Sequence, residues 1–218
     1  MTRYLIDFDS TLVAAETLDV LAELALADAP DRGARTARVL SLTDQAMSGE
    51  IGFADALQRR LEILQPRREH LPPLIARLDA ALTASARRQA AWLARPEVSI
   101  VSGGFEEVIG PVLAGLGVPP GRVHANRFAW SGDGRASGVD PSSPLAHDGG
   151  KIAVARAFSS ETVVMVGDGW TDLEVWTTGA AARFYAYTEV VSRPAVMARA
   201  ELTAASLDEV REQEQGRP

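Results

Sequence analysis

The chain has no cysteine, which excludes disulfides, thiolate metal centres and thiol redox chemistry. Histidine is scarce: His70, His124 and His147 are the only three. They lie far apart without evident partners, and no role is assigned to them. No apolar run approaches the roughly 20 residues that cross a bilayer. Met1-Thr2-Arg3 leads straight into an apolar segment with no leader-like stretch, so a cytoplasmic location is expected. The net charge of −7 argues against nucleic acid or an anionic membrane surface as partner. It does not exclude a small anionic substrate, because a bound cation reverses the local field. The sharpest scarcity is lysine. Of 22 basic residues one is lysine, Lys151, and the rest are arginine. A chain that uses arginine by default and keeps one lysine points to a position that needs a compact ammonium rather than a planar fork.

At 218 residues, with 46% apolar and 23% charged residues, the chain can bury a core and carry an insert as well. Tyr4-Leu5-Ile6 reads as a buried strand, and Asp7-Phe8-Asp9-Ser10-Thr11 follows it. Two carboxylates two apart at a strand end leave the sheet on the same side. In an open α/β sheet, ligands bind at that carboxyl end. Two crowded acids repel unless a cation or a proton separates them. Four later apolar runs, 98–101, 122–125, 162–166 and 182–186, read as further strands, with helical stretches such as 105–116 and 152–158 between them. Such alternation predicts an α/β fold, a Rossmann-like doubly wound parallel sheet. Residues 128–138 centre on Ser131-Gly132-Asp133-Gly134, a hairpin signal.

From about Ala14 to Leu93 the apolar residues recur at helical spacing (Leu18, Leu21, Leu24; Ala56, Leu57, Leu61, Leu64; Leu71, Leu74, Ile75, Leu78). Breaks fall near 28–33, 48–52, Pro66 and Pro72-Pro73. The expected organisation is a catalytic core of residues 1–13 and 94–218, with a helical cap of residues 14–93 inserted between its first and second strands. The polar tail from Arg211 to Pro218 is expected to be frayed.

Three strand ends carry polar clusters: Asp7/Asp9/Thr11, Ser102-Gly103-Gly104 and Asp168-Gly169-Trp170-Thr171-Asp172. Gly149-Gly150-Lys151 opens a helix on the same rim, where an N-terminus favours anions. Oxygen donors without Cys or His suit a hard cation, Mg²⁺ above all, with Asp7, Asp168 and Asp172 as candidate ligands. A hydroxyl, freed backbone N–H groups and an ammonium make a phosphoryl cradle. With the metal they would neutralise a phosphoryl transition state. One carboxylate can attack phosphorus and the other can carry the proton.

The set Asp-x-Asp-x-Thr, strand-end Ser, helix-start Lys and Gly-Asp-Gly-x-x-Asp resembles the haloacid dehalogenase superfamily over residues 4 to about 200. The resemblance implies Asp7 as nucleophile, Asp9 as general acid/base, and Ser102 and Lys151 on the phosphoryl group. It implies Mg²⁺ on Asp7, the Asp9 backbone carbonyl and Asp168, supported by Asp172. Asp7 to Leu12 continuing to Glu16 and Asp19, Ala46 to Glu50, Phe53, Leu57 to Arg60, Val101 to Phe105 and Ala125-Asn126-Arg127 resemble the phosphoserine phosphatases. That likeness implies an O-phosphoserine substrate cleaved through an aspartyl-phosphate in serine biosynthesis. Glu16 would meet the ammonium, Arg60 the carboxylate, Met47 and Phe53 would exclude water, and Thr11, Gly103 and Gly104 would help bind. The alternatives are another small phosphate ester, transfer to an acceptor such as homoserine, or a non-catalytic phosphometabolite-binding module. A monomer or homodimer is expected. Three features depart from the family, one of them Thr188 to Arg193, which follows it only loosely. Leu82 to Arg88 reads as helical where a Pro/Gly stretch usually returns from the cap. Trp170 stands where a small residue is usual, and is expected to narrow the site.

Overall fold

The computed structural model describes residues 1–216. Its eight strands are β1 (Thr2–Ile6), β2 (Val98–Phe105), β3 (Val123–Asn126), β4 (Phe128–Trp130), β5 (Ala136–Val139), β6 (Thr162–Gly167), β7 (Arg183–Tyr187) and β8 (Leu202–Ala204). Six form one sheet in the order β3-β2-β1-β6-β7-β8, parallel throughout. From β1 the chain first builds outward through β2 and β3, then crosses back to add β6, β7 and β8 on the other side. The order therefore reverses between β1 and β6, and such a switch point leaves a crevice at the carboxyl ends of the two strands. Asp7 follows β1 and Asp168 follows β6, so the reversal brings together two acids 161 positions apart. The expected hairpin is the antiparallel pair β4–β5. β8 has only three residues at the sheet edge, too short for an alternation signal, and sequence reading misses it.

Helices α1 (Thr17–Ala25), α2 (Arg32–Ser48), α3 (Phe53–Leu64), α4 (Leu71–Ala80), α5 (Ala84–Arg88) and α6 (Ala90–Leu93) fill the stretch before β2. Pro72 and Pro73 sit in the first turn of α4, where a missing N–H costs nothing; they start a helix rather than interrupt one. In α3 the buried residues are Ala56, Leu57, Arg60, Leu61 and Leu64, one helical stripe that includes a charged residue. Helices α7 (Glu106–Ala114), α8 (Gly150–Arg156), α9 (Trp170–Thr177), α10 (Pro194–Met197) and α11 (Leu207–Gln215) complete the layers. No helix among the described residues is long and apolar enough to cross a membrane.

The tail departs from expectation. Arg211 to Gln215 are helical in α11. Ser206 caps the helix by accepting from the Glu209 N–H, Leu207 and Val210 are buried, and Glu214 binds Arg183 and the Tyr185 hydroxyl. These partners lie on β7, far away in sequence, which is why a polar tail reads as frayed from the sequence alone. The last two residues, 217 and 218, lie outside the described residues.

One apolar cluster runs without interruption from the sheet into the helical stretch. It joins Ile6, Phe8 and Ile100 to Leu21, Leu57, Leu61, Leu74 and Leu78. The return segment is helical as expected, at α5. Ser85 there is buried; its hydroxyl lies 2.7 Å from that of Tyr187 and also reaches Glu189.

Phe8 orients the loop after β1. Its ring is fully buried in the large cluster, and its carbonyl accepts from the N–H groups of Leu12, at 2.8 Å, and Val13. Asp7 and Asp9 on either side are thereby turned to the crevice. Phe8→Ala is expected to destabilise the fold by about 3–5 kcal/mol, measured by chemical denaturation.

Candidate active site

At the switch point Asp7, Asp168 and Asp172 each place a carboxylate oxygen within 4.8 Å of the others, and all three are buried. Such a cluster persists only with compensating positive charge. Lys151 reaches Asp7 Oδ1 at 2.8 Å and Asp172 Oδ1 at 2.7 Å. Burial works to lower its pKa, but the two carboxylates outweigh burial and hold it above the ordinary lysine value. Arg193 donates from Nε to Asp168 Oδ2 at 2.6 Å and from Nη2 to Glu16 Oε1 at 2.9 Å. The Gly169 N–H caps Asp172 Oδ2 at 3.1 Å. Three carboxylates face Lys151 and an arginine that is shared with a fourth. Net negative charge, all-oxygen donors and close convergence fit a hard divalent cation.

Asp9 lies beside this cluster. Ser10 follows it with φ of 52°, a left-handed turn that is uncommon outside glycine and that swings the chain towards α1. The Thr17 N–H (3.1 Å) and hydroxyl (2.5 Å) both bind Asp9 Oδ1, so the first residue of α1 fixes this carboxyl. Burial pushes the Asp9 carboxyl up to about 7; the Thr17 hydrogen bond pulls against it and the Asp7 charge adds to it.

The opposite wall is the bulged end of β2, where pairing with β3 breaks between Val101 and Phe105. The Gly104 N–H binds Ser102 Oγ at 3.0 Å, and Asn126 donates to the Gly103 carbonyl at 2.9 Å. A Cβ on Gly103 would come within 2.2 Å of the Phe53 ring, so a side chain there would displace that ring from the loop.

One pocket is lined by Asp7, Asp9, Glu16, Met47, Phe53, Arg60, Ser102, Gly103, Gly104 and Lys151. Thr171, from the fourth expected polar cluster, lines it as well, so all four clusters and the expected residues of the helical stretch reach this pocket. Arg60 is 3% exposed; it donates from Nε to the Ala56 carbonyl and from Nη1 to Thr43 Oγ1, both at 3.2 Å. Burial lowers its pKa against the nearby charges of Glu16, Asp19 and Asp9. It has no ion-pair partner among the described residues, whereas Arg59 is half exposed and paired with Asp55 at 2.8 Å.

A family model described as haloacid dehalogenase-like hydrolase matches residues 4–176. The chain belongs to the haloacid dehalogenase-like hydrolases. This hydrolase is 34% identical over 174 residues to a phosphoserine phosphatase of Mus musculus, covering 77% of this chain and 74% of the relative. It is 34% identical over 202 residues to one of Drosophila melanogaster, covering 89% and 71%. Among solved structures, a phosphoserine phosphohydrolase-like protein from Francisella tularensis subsp. tularensis SCHU S4 superposes with a TM-score of 0.88 at 28% identity, covering 98% of this chain and 99% of the other. A phospho-aspartyl intermediate analogue of phosphoserine phosphatase superposes with a TM-score of 0.78 at 25% identity, covering 98% and 99%.

Some sequence-predicted residues of this hydrolase sit differently from expectation. Thr11 is fully buried and donates to Asp168 Oδ1 at 3.4 Å; it does not line the pocket. Trp170 does not line it either; it lines an adjoining cavity that shares Phe53 and Thr171 with this pocket. Its ring lies over Gly49 at the end of α2, where a Cβ would come within 2.5 Å. Its Nε1 binds Glu174 at 2.9 Å, and Arg199 stacks on it at 4.5 Å. An aromatic ring is accommodated there because the facing residue is glycine. Glu16 holds internal partners, Arg193 and the Ser10 hydroxyl at 2.8 Å, both on Oε1. None of the three histidines lines the pocket. Sequence reading missed Arg193 and Thr17. Arg193 is one of many arginines in an irregular segment, and no local signal marks it. Thr17 opens a helix beside Glu16, a position that reads as capping.

Lys151→Met would leave Asp7 and Asp172 buried without their shared cation. The expected loss is about 3–5 kcal/mol of stability, read from denaturant midpoints without divalent ions.

Proposed function

We propose that this hydrolase cleaves O-phosphoserine to serine and phosphate through a phosphoenzyme on Asp7. The observation that carries the substrate reading is Arg60: a buried guanidinium on the pocket wall with no carboxylate partner among the described residues. A buried charge left unpaired is costly, and a substrate carboxylate taken by the fork would remove that cost. Glu16 supports the other end. Its two bonds reach Oε1 alone, which leaves Oε2 for an ammonium. An amino acid phosphate monoester needs both partners. The named relatives support the same substrate.

An Asp7 carboxylate oxygen attacks phosphorus while the bond from phosphorus to the serine oxygen breaks. Asp9 gives its proton to the departing serine oxygen. Asp9 then takes a proton from water as the water oxygen attacks the aspartyl-phosphate, which frees phosphate and restores Asp7. Ser102, the Gly103-Gly104 backbone and Lys151 hold the phosphoryl oxygens. Met47 and Phe53 keep bulk water out. Asp7, Asp168 and the Asp9 carbonyl, with Asp172 behind them, would hold Mg²⁺, which when bound supplies positive charge against the phosphoryl oxygens. Residues 14–93 act as the cap over a core of 1–13 and 94–218.

Phosphate release from a panel of small phosphomonoesters with Mg²⁺ tests this reading. Asp7→Asn is expected to give no turnover; full activity would refute the phosphoenzyme route. Arg60→Ala is expected to raise KM for phosphoserine about 30-fold or more while sparing esters without a carboxylate. Equal loss across the panel would remove phosphoserine as the substrate.

A further inference from the structure

Arg60 is held in place by a hydroxyl that does not itself line the pocket. Thr43, on α2, is 2% exposed. Its Oγ1 lies 2.8 Å from Asp19 Oδ1 on α1, 3.2 Å from the Val39 carbonyl one turn back, and 3.2 Å from Arg60 Nη1 on α3. A hydroxyl has one hydrogen to give. The nearer and charged acceptor is Asp19, so the hydrogen goes there and a lone pair faces the guanidinium. On its other side Arg60 is held by Nε on the Ala56 carbonyl, within its own helix. A guanidinium carries five N–H groups in one plane. Anchoring Nε and one N–H of Nη1 fixes that plane and leaves three N–H groups uncommitted, one on Nη1 and two on Nη2, to grip a carboxylate.

We propose that Thr43, oriented by Asp19, is a positioning residue for substrate selection: it sets the Arg60 plane so that the free N–H groups meet the substrate carboxylate. This rests on the reading of Arg60 given above. Thr43 joins three helices through one oxygen, so it also sets the spacing of α1, α2 and α3 around the pocket. A hydrophobic residue of the same shape would fill its space but leave Nη1 without an acceptor and Asp19 without a donor. The guanidinium would then be free to turn towards Glu16, Asp19 or Asp9, whose charges surround it. Chemistry at Asp7 and Asp9 does not touch Thr43, so the effect falls on recognition of one substrate group.

The test compares phosphoserine with phosphoethanolamine, which keeps the phosphate and the amine and lacks the carboxylate. The readout is the ratio of their kcat/KM values in wild type, Thr43→Val, Thr43→Ser and Arg60→Ala, with thermal melting as a check on folding. Thr43→Val is expected to lower the ratio about tenfold through KM for phosphoserine, the scale of one hydrogen bond to a charged group. Thr43→Ser, which keeps the hydroxyl, is expected to hold the ratio within about twofold of wild type. If Arg60→Ala lowers the ratio and Thr43→Val does not, the proposal is overturned and the reading of Arg60 stands. Equal loss on both substrates in Thr43→Val also overturns it, since a purely structural tie would act so. If Arg60→Ala leaves the ratio unchanged, the reading beneath falls and the proposal with it. Thr43→Ala is read the same way should the valine variant not fold.

Discussion

Burial of three carboxylates at one point of the sheet is the constraint around which the rest of the structure is arranged. Asp7, Asp168 and Asp172 converge within 4.8 Å because the strand order reverses between β1 and β6, and parallel strands deliver their carboxyl ends to one rim. Repulsion among them would open the crevice. Lys151 stands between Asp7 and Asp172, and Arg193 on Asp168. The division of labour follows from shape. An ammonium can sit between two oxygens as a point charge, and a guanidinium can span two separate carboxylates with different nitrogens. The balance stays on the negative side, which suits the cluster to a divalent cation.

The same charges tie the helical stretch to the core. Arg193 joins Asp168, after β6, to Glu16, just before α1. Thr17, the first residue of α1, holds Asp9, just after β1. The entry to the proposed cap is therefore wired into the proposed reaction centre at two points. Its return is bound to the end of β7 through Ser85, Tyr187 and Glu189. With a continuous apolar cluster beneath, the helices are set over the pocket by both packing and charge. Arg60 benefits most directly. It lies on the apolar stripe of α3, so helix geometry alone turns it inward while Arg59 turns out.

Much of this was readable in the linear chain where a motif and a periodicity coincide. Asp7 and Asp9 follow a short apolar strand, Ser102 and Asp168 end two others, and Lys151 is the single lysine. Each is marked by its immediate neighbours, and parallel topology does the rest. The stripe in α3 was readable too, and it separates Arg60 from Arg59 once residues 56, 57, 61 and 64 are seen to share a face. What escaped depends on partners distant in sequence. Arg193 meets Glu16 across 177 positions, and α11 is held by Arg183 and Tyr185 on β7. The glycine that receives the Trp170 ring, Gly49, follows the distant helix α2, so the fit between them is not visible locally.

By itself, then, the sequence determined the strand–helix alternation up to β7, the acids at the strand ends, the class of chemistry those acids can do and the helical character of residues 14–93. These are consequences of local pattern: side-chain periodicity and residue type at a strand end. Tertiary structure alone decided which charges pair. Arg193 rather than another arginine balances Asp168, Thr17 holds Asp9, Thr11 turns away from the pocket, and Arg60 is left without an ion-pair partner among the described residues. The physical reason is that a buried charge is governed by whatever lies within a few ångströms of it, and burial brings residues from across the chain into that range.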